Sequence, residues 1–333
     1  MITRRRLLAS GASLFALTIA APLAAQTSKP IPVVATFSIL GDMVERIGGD
    51  HVAVTTVVGP GGDAHVYQPT PADARAVSEA ELLFVNGLDF EGWLDRLVEA
   101  SDFNGTRVVA TDGIEPIAFE EGDEGYHEDE AHEDHDAHAE GEHDDDHAED
   151  DGHHHHHGAF DPHAWQSLAN GEIYATNIAE ALAAADPDNA ADYEAGAEAY
   201  IAEMRALDAG ILEMVADLPA DRRTVVTSHD AFGYFAARYG LTFEAPQGIS
   251  TESEPSAAVV AELIVQIRDE GISALFVESI TDNRLLEQIA SETRATIGGT
   301  LYSDALSGPD CPAGTYLDMM RYNAETLTQA LGS

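Results

Sequence analysis

Three histidines in this chain occupy positions where side chains commonly do chemistry. His65 follows a glycine-rich turn, Gly59-Pro60-Gly61-Gly62-Asp63. His163 lies in Asp161-Pro162-His163-Ala164-Trp165, and His229 follows the apolar run Thr224-Val225-Val226-Thr227 within Ser228-His229-Asp230. Three imidazoles and one carboxylate would close a tetrahedral zinc site with a net charge of about +1. The candidate carboxylate is Asp304, in Leu301-Tyr302-Ser303-Asp304-Ala305, and the alternative is Glu278, at the end of Leu275-Phe276-Val277. Taken singly, each residue has an ordinary explanation. A loop histidine is more often solvated or hydrogen-bonded than a ligand, and Asp304 could equally cap a helix or a turn. His51 opens a strand after Gly48-Gly49-Asp50 and reads as a surface residue. Cys311 is the only cysteine, which excludes an intramolecular disulfide and a thiolate cage. A bound metal would be held by imidazole and oxygen.

The other eleven histidines share one segment. Glu120 to Gly158 holds eighteen Asp and Glu, eleven His and no Lys or Arg. His127, His132, His135, His138, His143 and His147 are interleaved with acids, and His153, His154, His155, His156 and His157 run together at its end. So polar a segment cannot build a core and is expected to be disordered. It reads as a solvated acidic spacer or as a weak, multi-site zinc pool tethered just before His163. A purification tag would explain five adjacent histidines but not the interleaving.

The elements that must position these residues alternate in kind. Ile31 to Phe37, His51 to Val58, Glu81 to Asn86 and Arg107 to Ala110 read as strands. Between them, Ser38 to Gly48, Pro71 to Ala80 and Phe90 to Ala100 read as helices. After the histidine-rich segment, Pro162 to Ala184 reads as a helix and Pro187 to Asp217 as a longer one, a rod of about 45 Å joining two lobes. Alternation then resumes, with strands at Arg223 to Thr227, Leu241 to Ala245, Ala274 to Glu278 and Thr296 to Tyr302 and a closing helix at Thr315 to Leu331. The pattern predicts an α/β protein of two similar lobes, each a parallel-type sheet flanked by helices, joined by one long helix. In such sheets ligands bind beyond the carboxyl ends of the strands, and His65 and His229 are placed there, one per lobe.

Composition narrows the partners. The 333 residues carry a formal net charge of −44, with one Lys against fifteen Arg. An acidic surface repels nucleic acid and anionic membrane and attracts cations, so no nucleic-acid partner is expected. Solubility in a salty environment would explain the same bias. Arg4-Arg5-Arg6, an apolar run from Leu7 and the ending Leu23-Ala24-Ala25-Gln26 make a cleavable secretory signal. Thr3-Arg4-Arg5-Arg6-Leu7-Leu8 also fits a twin-arginine signal. The apolar run is nearly long enough to span a membrane, but Gly11, Pro22 and the small residues at its end favour removal. With no cysteine near the junction, the expectation is a soluble periplasmic protein without a lipid anchor.

Five segments together carry a resemblance. Residues 62–73, 161–165, 228–235, 248–256 and 315–320 resemble, in order, signatures of the zinc and manganese substrate-binding proteins of ABC transporters, the ZnuA/TroA-like family. The resemblance covers nearly all of the mature chain. It implies two α/β lobes on a rigid linking helix, with metal in the cleft held by His65 and His163 from one lobe and His229 and Asp304 from the other. The corresponding division is a signal peptide at 1–25, a first lobe at 26–184 carrying the insert 120–158, a linking helix at 185–217 and a second lobe at 218–333. His229 stands where manganese-type members commonly have Glu, and the histidine-rich insert is similar to those of zinc members. Both point to Zn²⁺ as the cargo. Some zinc members have a disulfide in the second lobe, which Cys311 alone cannot form.

The implied protein is not an enzyme. It is a monomer that captures zinc and hands it to an inner-membrane ABC permease with its ATPase, with a periplasmic zinc chaperone as a further partner. Competing expectations are a manganese-type member, a sequestering protein whose main binder is the insert, and a zinc hydrolase using Asp304 as general base. The sequence has no His-Glu-x-x-His pattern to support the last.

Overall fold

The computed structural model describes residues 29–118 and 159–332. The expected signal peptide at 1–25 and the segment 120–158 with its eleven histidines lie outside the described residues.

The first lobe runs β1 (Ile31–Phe37), α1 (Ser38–Gly48), β2 (Val52–Val58), α2 (Pro71–Glu79), β3 (Leu82–Val85), α3 (Leu94–Ser101) and β4 (Thr106–Val109). Its strands form one parallel sheet in the order β2-β1-β3-β4. The second lobe repeats the plan with β5 (Thr224–Val226), α6 (Gly233–Tyr239), β6 (Thr242–Glu244), α7 (Ala257–Glu270), β7 (Ala274–Glu278), α8 (Arg284–Glu292) and β8 (Thr296–Leu301). Its parallel order is β6-β5-β7-β8. The central strands have no polar face. Leu82-Leu83-Phe84-Val85 and Ala274-Leu275-Phe276-Val277 are buried throughout, as strands must be when helices cover both sides of the sheet.

Between the lobes run α4 (Leu168–Ala185) and α5 (Ala190–Ala216). At 1.5 Å per residue α5 spans about 40 Å. Its buried residues Tyr193, Ala197, Tyr200, Met204, Asp208, Ile211 and Val215 recur every three or four positions and form one stripe. That stripe packs on α4, on α1 of the first lobe and on the closing helix α9 (Tyr316–Leu331). Gly196 permits the closest approach, since a Cβ there would stand 2.7 Å from the Ile47 carbonyl oxygen. One helix therefore braces both lobes.

One local expectation differs. The stretch from Pro162 does not open a helix. His163 has φ −80° and ψ 41°, Ala164–Gln166 is a single 3₁₀ turn, and α4 begins only at Leu168. Helix-start signals there yield to tertiary bonds. The Asp161 carboxylate accepts from the His163 N–H at 2.9 Å, and the Trp165 and Gln166 side chains reach into the other lobe.

Candidate metal centre

Four loops deliver four side chains to one point. The loop after β2 turns at Gly61 (φ 71°), whose N–H donates to the Leu306 carbonyl at 2.8 Å. It then presents His65. The Asp63 carboxylate accepts from the His65 N–H at 2.9 Å, and the Trp93 indole donates to the Ala64 carbonyl at 2.7 Å. The Phe90 ring stands edge-on to His65, with centroids 4.8 Å apart. These contacts fix both the backbone and the ring.

His163 is held in the same way. Asp161 Oδ1 takes its N–H and also faces its Nδ1 at 2.8 Å. The Asn86 amide, just past β3, donates to the Pro162 carbonyl at 2.9 Å. His229 follows β5. Oε1 of Glu278 accepts from the Ser228 and His229 N–H groups, both at 2.8 Å, and Oε2 lies 2.7 Å from His229 Nδ1. Asp304 lies beyond β8. The carbonyl of Ser303 before it accepts from Trp165 Nε1 at 2.9 Å and Gln166 Nε2 at 2.7 Å.

The inward-facing atoms converge. His65 Nε2 lies 3.1 Å from Asp304 Oδ2 and 3.3 Å from His163 Nε2. His229 Nε2 lies 3.2 Å from Asp304 Oδ2, and His163 Nε2 lies 3.6 Å from Asp304 Oδ1. One ligand atom from each of the four residues falls within 4.8 Å of all the others. Zinc–donor bonds of 2.0–2.1 Å in a tetrahedron place neighbouring donors about 3.3 Å apart. His163, His229 and Asp304 are fully buried, and His65 is the one partly exposed member. Both Asp304 oxygens and His229 Nε2 lack a hydrogen-bond partner. Buried polar atoms without partners are costly, and a shared cation would satisfy all three at once.

Charge is arranged to match. Burial works to raise the Asp304 carboxyl, but the His229 and His163 imidazoles outweigh it and hold the group well below the usual carboxylate range. Burial works to lower the His229 imidazole, but Glu278 and Asp304 outweigh it and hold the group well above its usual value. Burial lowers His65 against the opposing pull of Asp304.

The structure thus brings together His65, His163, His229 and Asp304. Glu278 sits one layer behind, its oxygens turned to His229 Nδ1 and to backbone N–H groups rather than into the cluster. His51 lies elsewhere, its Nε2 3.0 Å from Asp192 on the surface. The eleven histidines of 120–158 lie outside the described residues. Reading the sequence left Asp63 and Asp161 without a role. The signal was present, because each stands two residues before a clustered histidine and accepts that histidine's N–H.

Known proteins resemble this chain over nearly all of its length. The family model described as zinc-uptake complex component A, periplasmic, matches residues 33–330. The iron-binding protein YfeA of Yersinia pestis is 33% identical over 306 residues, covering 92% of this chain and 88% of YfeA. The manganese-binding lipoprotein MntA of Halalkalibacterium halodurans is 31% identical, covering 90% and 88%. Among solved structures, the periplasmic zinc binding protein TroA from Treponema pallidum superposes with a TM-score of 0.76 at 28% identity, covering 91% of this chain and 99% of TroA.

Proposed function

Because this chain belongs to the family of zinc-uptake complex component A, the periplasmic metal-binding proteins of ABC importers, we propose that it captures Zn²⁺ outside the cytoplasm and delivers it to an ABC permease. The observation carrying this reading is the closed cluster of three imidazoles and one carboxylate, with buried, unpartnered atoms facing each other at tetrahedral spacing. We assign His65, His163, His229 and Asp304 as the ligands. Four protein donors leave no open position for a water on a tetrahedral zinc, which suits cargo rather than catalysis. Nitrogen-rich donors favour zinc over manganese, which prefers oxygen. The names of YfeA and MntA support the iron and manganese readings instead.

The test is metal analysis of the untagged protein followed by competition titration. One tightly held zinc per chain, not displaced by a hundredfold excess of Mn²⁺, is the expected result. Displacement by Mn²⁺ at comparable concentration overturns the choice of zinc.

We assign residues 120–158 to a weak accessory pool. Deleting them is expected to lower total zinc stoichiometry and leave one tight site, read by equilibrium dialysis. Loss of the tight site would make the segment the principal binder. MntA and other relatives are named lipoproteins, which runs against the expectation of an unanchored protein. The only cysteine here is Cys311, near the other end of the chain. Our reading remains a protein that acts outside the cytoplasm.

A further inference from the structure

We propose that Thr251 sets the rate at which metal leaves the cluster, by latching Asp63, and through it His65, to the opposite lobe. The inference rests on the metal-capture reading above.

The four ligands are not joined across the cleft in equal ways. On one side, His163 and Asp304 are tied by bonds within the packed interior. The Trp165 indole and the Gln166 amide donate to the Ser303 carbonyl, and the Tyr316 hydroxyl donates to the Trp165 carbonyl at 2.6 Å. All four of these residues are fully buried. The Tyr234 hydroxyl adds a bond to the Asp161 carbonyl at 2.9 Å and accepts from the Ile117 N–H at 3.1 Å.

On the other side, the His65 loop is bonded to the second lobe at its start, by the Gly61 N–H on the Leu306 carbonyl, and nearer His65 it faces the segment 245–256, which contains no helix or strand. The segment is rooted beside His229, where the Asp230 N–H donates to the Gln247 and Gly248 carbonyls at 3.1 and 3.2 Å. Its tip reaches the first lobe through the Thr251 hydroxyl, which donates to Asp63 Oδ2 at 2.6 Å. The other oxygen of the same carboxylate accepts the His65 N–H. One carboxylate, 188 positions away from Thr251, thus connects the segment tip to the backbone of a ligand.

Solvent reaches this side from two directions. A cavity of about 570 Å³ is lined by His65, Ile249, Ser250 and Glu252. A second, of about 480 Å³, is lined by Asp63, Ser228 and Thr251. His65 is also the one clustered ligand that is not fully buried. A partly buried bond between solvent-lined cavities breaks more readily than bonds within a packed interior. Metal therefore leaves by the His65 side, and the hydroxyl of Thr251 holds that side shut.

The test uses full-length Thr251→Val, which keeps the shape and removes the donor, and Thr251→Ser, which restores the donor. Zinc-loaded protein is mixed with excess chelator and the release rate is followed. Losing one charge-assisted hydrogen bond predicts release roughly tenfold faster in Thr251→Val. Thr251→Ser should stay within about twofold of the parent by the same argument, since its hydroxyl still donates. A second arm needs no metal. Diethyl pyrocarbonate acylation of the metal-free proteins is read residue by residue by mass spectrometry. Thr251→Val should speed acylation of His65 and leave His163 unchanged. Unchanged release, or His163 accelerating together with His65, overturns the latch. A parent protein that holds no zinc defeats the capture reading instead, and the acylation arm still decides whether the latch exists.

Discussion

His163→Ala is expected to abolish tight zinc binding, lowering affinity on the order of a thousandfold. The magnitude follows from a comparison within the site. Losing a residue that merely orients a ligand typically costs 10–100-fold in metal affinity. Losing a ligand must cost more, since one donor is replaced by a water in a site built to exclude it. His163 Nε2 faces both His65 and Asp304, so its loss opens the cluster on the side where Trp165 and Gln166 bind the Ser303 carbonyl. His65→Ala and His229→Ala are expected to behave alike. Glu278→Gln belongs to the milder class. It removes the charge behind His229 Nδ1, and a loss of 10–100-fold is expected.

The measurement is competition with a calibrated zinc chelator, accompanied by a thermal melt of each metal-free variant. The melt separates ligand loss from unfolding, because truncating a buried ring also costs stability, typically 1–3 kcal/mol. His163→Ala binding zinc within tenfold of the parent means that the tight site lies elsewhere. The ordering carries as much information as the sizes. If Glu278→Gln were as damaging as His229→Ala, Glu278 would have to act as a ligand, which its place behind the ring does not allow.

The lobes were readable because one central strand in each holds an unbroken run of four apolar residues. Leu82-Leu83-Phe84-Val85 and Ala274-Leu275-Phe276-Val277 can only be strands covered on both faces. His65 and His229 stood out for a related reason, as polar residues just past such runs. Asp304 was the sequence's first choice of carboxylate and Glu278 the runner-up, but local sequence alone could not separate Asp304 as a ligand from Asp304 as a helix or turn cap. Register decides it. Glu278 is the last residue of β7, aimed at the backbone of the neighbouring strand end, whereas Asp304 lies three residues beyond β8 and reaches the cluster. The conformation at His163 was misleading for a physical reason. Asp161-Pro162 is a good helix start by local rules, but the bonds from Trp165 and Gln166 to Ser303 hold the chain out of the helix. Local rules carry no information about a partner more than a hundred residues away, which also hides Thr251.

Zinc binding near neutral pH is expected to release a proton, with His229 as its source. In the metal-free protein this ring is enclosed by carboxylates at both nitrogens, with Glu278 Oε2 2.7 Å from Nδ1 and Asp304 Oδ2 3.2 Å from Nε2. Burial opposes its charge, but the two carboxylates prevail and raise it well above the usual imidazole value of about 6.5. The two carboxylates therefore favour the charged form of the ring. Zinc needs the lone pair on Nε2, so that proton must leave, while the Nδ1 proton stays with Glu278. His65, already lowered by burial, contributes none from its side.

The signs for stability are opposite in the two forms. In the metal-free protein a raised imidazole contributes stability that is fully present below about pH 6.5 and is lost as pH rises through the folded value. In the zinc-loaded protein the proton is gone, and binding strengthens with pH by about 1.4 kcal/mol per unit until that value is passed. The gap in Tm between loaded and metal-free protein should therefore widen from pH 6 to pH 7.5, by roughly 3 °C for about 2 kcal/mol in a chain of this size. Calorimetry at pH 7 in buffers of differing ionisation enthalpy should count about one proton released per zinc. Glu278→Gln should reduce that count, because it removes the nearer of the two carboxylates that keep the ring charged. A gap that narrows with rising pH, or no proton released, would show that His229 is neutral before the metal arrives.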